Sequence, residues 1–141
     1  MASIQIRGID ELQRKLGNAA ANRTLMRPMN RAVLRIQRNM AEYPPPRPGS
    51  RYIRGFGMEG GPRTSERLGQ SWTTKVKPSG NGVTGTIGTN VSYAPWVQSE
   101  RFQAWMHKGR WTNTDEKTVE RLRTTIIEDF QRAIDRALEG K

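Results

Sequence analysis

The chain has 141 residues, which is room for one domain built around one core. Its 24 Lys and Arg face 13 Asp and Glu, leaving a net charge of +11, and 18 of the cations are arginine, so anionic partners are expected. Without cysteine, and with His107 as its one histidine, the sequence excludes a disulfide framework, a zinc knuckle, an iron-sulfur cluster and a thiol nucleophile. Apolar runs never exceed three residues, far short of a membrane span, so a soluble chain made in a cytoplasm is expected. Leu, Ile, Val and Phe together supply 25 residues, about 18%. At this net charge that is a thin core, and such a chain is expected to complete its fold by burying surface against partners.

Ile4 to Arg7 alternates apolar and polar residues like a short edge strand ending at Gly8. Asp10 is placed to cap a short helix carrying Leu12 and Leu16, with Gly17-Asn18 as its stop. A second helix reads best from Thr24 to Met40, because Leu25, Met29, Val33, Ile36 and Met40 recur at helical spacing. Pro28 is tolerable only near its first turn. On the opposite face of the same wheel lie Arg23, Arg27, Arg31, Arg35 and Arg38.

Residues 43–67 contain Pro44-Pro45-Pro46-Arg47-Pro48-Gly49 and then Gly55, Gly57, Gly60, Gly61 and Pro62, a composition that neither helix nor central strand tolerates. This stretch, with Arg47, Arg51, Arg54, Arg63 and Arg67, reads as an extended basic arm. Trp72 to Val76 and Val83 to Thr89 read as a hairpin turning through Pro78 to Gly82, with Val83, Gly85 and Ile87 on one face. Val91 to Val97 reads as a third strand, edge or bulged because of Pro95. Gln103 to Asn113 is an aromatic and basic loop. Thr114 or Asp115 then caps a last helix on which Val119, Leu122, Ile126, Phe130, Ile134 and Ala137 form one apolar stripe. Glu128 and Arg132 are spaced to pair on its outer face, and Gly140 is a stop. The expected fold is thus α+β. A short N-terminal strand and two helices precede a small antiparallel sheet, and a long C-terminal helix packs on that sheet.

Catalytic readings are poor. Ser71, His107 and Asp115 could in principle form a triad, but no Gly-x-Ser-x-Gly elbow is present. The Gly55 to Gly61 stretch lacks the Gly-Lys-Ser or Gly-Lys-Thr ending of a phosphate loop, and metal ligands are not clustered. No enzyme activity, cofactor or metal is expected. The arginine stripe is either a solvated helix face or a contact surface. Two features favour contact: no acid lies between Glu11 and Glu42 to neutralise it, and guanidinium forks suit phosphate or carboxylate. Without a reading head, any nucleic-acid contact would be to the backbone and indifferent to sequence. The aromatic group Trp96, Phe102, Trp105 and Trp111 is either a satellite core or an interface.

The order of pieces resembles the tail-completion, or head-tail joining, proteins of tailed bacteriophages. The resemblance rests on the Arg-rich helix, Tyr43 to Gly49, Arg67-Leu68-Gly69-Gln70-Ser71-Trp72, Ile87-Gly88-Thr89-Asn90 and Tyr93-Ala94-Pro95-Trp96-Val97-Gln98. It departs from that pattern at Glu66, at Ser99-Glu100-Arg101 and in the glycine-rich stretch from Arg54 to Pro62. What it implies is a single domain, residues 1–141, acting as a structural virion protein assembled in the host bacterial cytoplasm. Such a protein forms a ring, commonly hexameric, that caps the tail tube and joins it to the neck or connector on the head side. It touches DNA in the lumen without sequence preference and involves no membrane. Arg23, Arg27, Arg31, Arg35, Arg38, Arg47, Arg51, Arg54, Trp96, Trp105, Arg110 and Trp111 are the expected subunit-interface or DNA-facing residues. The alternative is a small basic protein that binds nucleic acid non-specifically.

Overall fold

The computed structural model describes residues 8–44, 53–54, 63–64, 67–79 and 82–140. The expected strand at Ile4 to Arg7 and most of the basic arm lie outside them. Helix α1 is Ile9–Leu16 and helix α2 is Asn18–Ala41. Two-residue strands β1, Ile53–Arg54, and β2, Arg63–Thr64, pair in parallel within the stretch whose composition tolerates neither helix nor central strand. Helix α3 is Arg67–Gln70, so Arg67 belongs to a helical turn and not to the arm. Strands β3, Thr73–Ser79, and β4, Gly82–Gly88, form an antiparallel hairpin. Helix α4, Ala94–Gln98, a single 3-10 turn at Trp105–His107, and helix α5, Asp115–Leu138, complete the chain. The fold is α+β, with helices, a small antiparallel sheet and a long C-terminal helix.

Several boundaries differ from the sequence reading for local reasons. Asp10 does not cap α1. Gly8 holds that position, and Asp10 and Glu11 sit in the first turn, where carboxylates favour the positive end of the helix dipole. Gly17 separates α1 from α2 at φ 78° and ψ 161°, a conformation that side-chain-bearing residues avoid, so the chain turns there in one residue and α2 starts at Asn18. Helix α2 then continues without a break past Pro28, which is buried. An interior proline costs roughly 3 kcal/mol. Burial of Leu25 before it and of Val33 and Met40 after it, each contributing roughly 1.5–3 kcal/mol, offsets that cost. Pro95 sits in the first turn of α4, where a missing N–H is harmless, and residues 94–98 are helix where a third strand was expected. Pro78 lies in β3 opposite Val83, and not in the turn.

Two apolar clusters stand where one core was expected. The larger joins Leu12 of α1, Ala21, Leu25 and Ala32 of α2, and Ile126, Phe130 and Ile134 of α5. The smaller gathers Leu68, Val91, Ala94, Val97 and Trp111, with Tyr43 and Trp72 against it. Helix α2 connects the two: it packs on α5 and on both strands of the hairpin, and it also touches α3, which carries Leu68 of the smaller cluster. Thus α5 packs chiefly on α2, and it approaches the sheet at an apolar crevice of about 410 Å³ that Val83, Gly85 and Ile87 share with Val119, Ile126 and Phe130.

Gly85 sets how close α2 lies to the hairpin. A Cβ at that position would stand 2.5 Å from Val33 Cγ1 and 2.7 Å from Met29 Sδ, and the β-branched valine has little freedom to yield. Gly85→Ala should therefore destabilise the fold by about 1–3 kcal/mol. Gly82→Ala, whose Cβ meets nothing within 4 Å, serves as the control. Thermal melts should show a lowered midpoint for the first, little change for the second, and partial recovery when Gly85→Ala is combined with Val33→Ala.

Candidate functional site

Helix α2 exposes most of the arginine stripe. Arg23, Arg27, Arg31 and Arg38 are exposed. Arg35 is half-buried at the edge of the α5 contact, and its Nη2 lies 3.2 Å from Asp129 Oδ2. On the other side of the same carboxylate, Arg132 Nη2 donates to Asp129 Oδ1 at 2.6 Å. Arg132 thus pairs with Asp129 at i−3, and not with Glu128 as its spacing suggested. The Asp129 side chain is only 3% exposed, a buried carboxylate held between two guanidinium groups from two helices. No sequence signal on α2 alone could have disclosed this pairing, because its acid lies 94 residues away from Arg35.

These groups edge a groove of about 540 Å³ between α2 and α5. Arg27, Arg31 and Arg35 line it from one helix, and Arg132 and Arg136 from the other. The two arginines of α5 were missed in the sequence because α5 as a whole carries nearly balanced charge.

The aromatic group divides. Trp111 is buried in the smaller cluster, where Tyr43 meets it edge-on at 4.9 Å. Trp96, Phe102 and Trp105 are 58%, 51% and 81% exposed, accompanied by exposed Tyr93 and Met106. The backbone folds them into one region: Ala104 N donates to the Trp96 carbonyl at 2.7 Å, and Gln103 N to that of Ser99 at 2.9 Å. The Arg101 guanidinium lies over the Phe102 ring at 5.1 Å. Arg110 is half-buried, Arg54 lies in β1, and Arg47 and Arg51 fall outside the described residues.

Side-chain amides fasten this aromatic segment to α2. Asn113 Nδ2 donates to the carbonyls of Asn39 at 2.6 Å and Glu42 at 2.7 Å. Gln98 Nε2 donates to those of Met40 at 2.8 Å and Asn113 at 3.2 Å. Gln103 Nε2 ties Val97 to Trp111 through their carbonyls. The residues behind the resemblance have similar work: Gly69 N donates to the Tyr43 hydroxyl at 3.0 Å, and Ser71 Oγ donates to the Leu68 carbonyl at 2.8 Å while meeting Thr89 Oγ1.

The paper triad is not assembled by these bonds, since Ser71 is engaged with Leu68 and Thr89, and Asp115 Oδ1 accepts from the N–H groups of Glu100 and Glu116. Among the described residues no group of three or more His, Asp or Glu could hold a metal, and no helix is long and apolar enough to cross a membrane. Compared with known proteins, the chain matches no family model, and neither a curated protein nor a solved structure matches it.

At the start of α5 the expected Thr114 cap takes another form. The Thr114 hydroxyl donates to Glu100 Oε2 at 2.6 Å, and Lys117 Nζ lies 3.5 Å from Glu100 Oε1. That hydrogen bond, assisted by the lysine, holds the Glu100 carboxyl below its ordinary value despite some desolvation. A carboxylate whose folded value is depressed contributes stability above its unfolded value, near 4.3, and loses it as pH falls through the lower folded one. The protection of amides in the first turn of α5, the factor by which they exchange more slowly than in an unfolded chain at the same pH, should therefore fall as Glu100 is protonated in acid. Glu100→Gln should flatten that acid dependence while leaving exchange in the C-terminal half of α5 unchanged.

Proposed function

We propose that this chain is a structural subunit of a phage tail-completion ring, which caps the tail tube and joins it to the neck while leaving a passage for DNA. The observation that carries the reading is the exposed aromatic surface of residues 93–106, built on a segment that the fold holds in place with six hydrogen bonds from side-chain amides. Trp is among the residues most enriched at interface hot spots, and an exposed aromatic cluster on a rigid support is what an assembly contact needs. The order of motifs along the chain supports the same reading, because Leu68, Gly69, Ser71, Ala94 and Val97 all serve the smaller cluster that carries this surface. Ring closure is proposed to use the aromatic surface, since copies carrying +11 each repel one another elsewhere.

A second reading, non-specific nucleic-acid binding, draws on the exposed Arg23, Arg27, Arg31 and Arg38. Sedimentation and native mass measurements, with and without isolated tail tubes, separate the two. The ring reading expects higher-order species that dissociate in Trp96→Ala/Trp105→Ala, each truncation costing roughly 2 kcal/mol or more of association free energy. A chain that stays monomeric at all concentrations and in the presence of tubes, yet binds random duplex DNA tightly with a steep salt dependence, would establish the second reading instead.

A further inference from the structure

We propose that the groove between α2 and α5 is a docking site for an extended acidic segment of a different protein, independent of whether the chain forms a ring. Five arginines line it and one carboxylate, Asp129, lies among them, so the groove carries a local charge of +4. Asp129 engages Arg35 and Arg132; Arg27, Arg31 and Arg136 have no carboxylate within ion-pair distance among the described residues. Such groups repel one another until an anion enters.

The shape of the groove selects the kind of anion. Thr24, Pro28, Ala133 and Ala137 also line it, and these small side chains let a chain approach between the arginines. Arg27, Arg31 and Arg35 recur every four residues, about 6 Å apart along the helix. In an extended peptide, alternate side chains on one face repeat at roughly 6.6 Å, so successive carboxylates match successive guanidinium groups. Pro28 has no N–H to give the Thr24 carbonyl, and a docked peptide offers N–H donors where a DNA backbone has no hydrogen-bond donor at neutral pH. A duplex is a broad convex rod that would touch only the rims of a cleft between two packed helices. Single-stranded nucleic acid is held by aromatic stacking platforms, and no aromatic residue among the described ones lines this groove.

The occupant is not a second copy. No two acids in this chain are separated by a single residue, so no segment of it can present carboxylates at alternate positions of an extended strand. The +11 charge also sets copies against one another at this face.

The test is fluorescence anisotropy of the full chain with a labelled decapeptide of alternating Asp and Thr, at near-physiological ionic strength. The Asp-Thr peptide should bind, and its Asn-Thr counterpart should bind at least about tenfold more weakly. Arg27→Gln/Arg136→Gln should weaken the Asp-Thr peptide by about tenfold or more, because two charge-assisted contacts are lost. Arg23→Gln/Arg38→Gln, which removes equal charge outside the groove, should change it by about twofold or less. Ala133→Glu, which places a fixed carboxylate between the helices, should block binding while the melting curve remains that of a folded chain. Absence of peptide binding, or equal loss in the two double variants, would overturn the proposal. Duplex DNA of matched charge that displaces the peptide, and that loses affinity in the same groove variants, would assign the groove to phosphate instead.

Discussion

Helix α2 must satisfy three different neighbours at once, and the rest of the molecule is arranged around that demand. One side meets the hairpin so closely that position 85 has no room for a side chain. Another meets α5 through Leu25, Ala32, Ile126 and Phe130. What remains is the arginine edge, of which Arg35 alone reaches into the α5 contact, where the buried Asp129 carboxylate replaces part of its hydration. The interior Pro28 is tolerated because apolar burial along the helix outweighs one absent hydrogen bond. The consequence of a single helix serving both clusters is that a shift of α2 against α5 also moves the segment bearing the exposed tryptophans.

The C-terminal end of α2 shows how an irregular segment can be placed as firmly as a strand. A helix ends with carbonyls that have lost their intrahelical donors. Here Asn113 and Gln98 reach back across more than fifty residues to fill that need, and Arg121 adds a bond from its Nη1 to Asn39 Oδ1 at 2.9 Å. The loop between the hairpin and α5 is therefore part of the frame, with one short helix, one 3-10 turn and its own apolar cluster.

Features governed by local periodicity were legible from the sequence. The apolar stripes of α2 and α5, the face shared by Val83, Gly85 and Ile87, and the stop at Gly140 all follow from spacing. Features governed by tertiary contacts were not. The start of α2 was hidden because Ala19, Ala20 and Ala21 carry little hydropathic contrast, although alanine is the strongest helix former. Pro95 suggested a damaged strand because nothing in the sequence marks it as the first turn of a short helix. Likewise, the arginine stripe was visible as a row on one helix, whereas its completion by Arg132 and Arg136 around Asp129 depends on how two helices distant in sequence are laid together.

The fastening of the aromatic segment and the lining of the groove are built from different kinds of force. Asn113, Gln98 and Gln103 hold the segment with neutral dipoles over short distances, bonds that dissolved ions barely screen. The arginine groove acts through full charges, whose reach at the surface shrinks to about 8 Å at physiological salt and about 3 Å in 1 M salt. Concentrated electrolyte therefore silences one face of the molecule and leaves the other standing, so the two faces answer to separate controls and changing the ionic medium can decouple them without unfolding the chain.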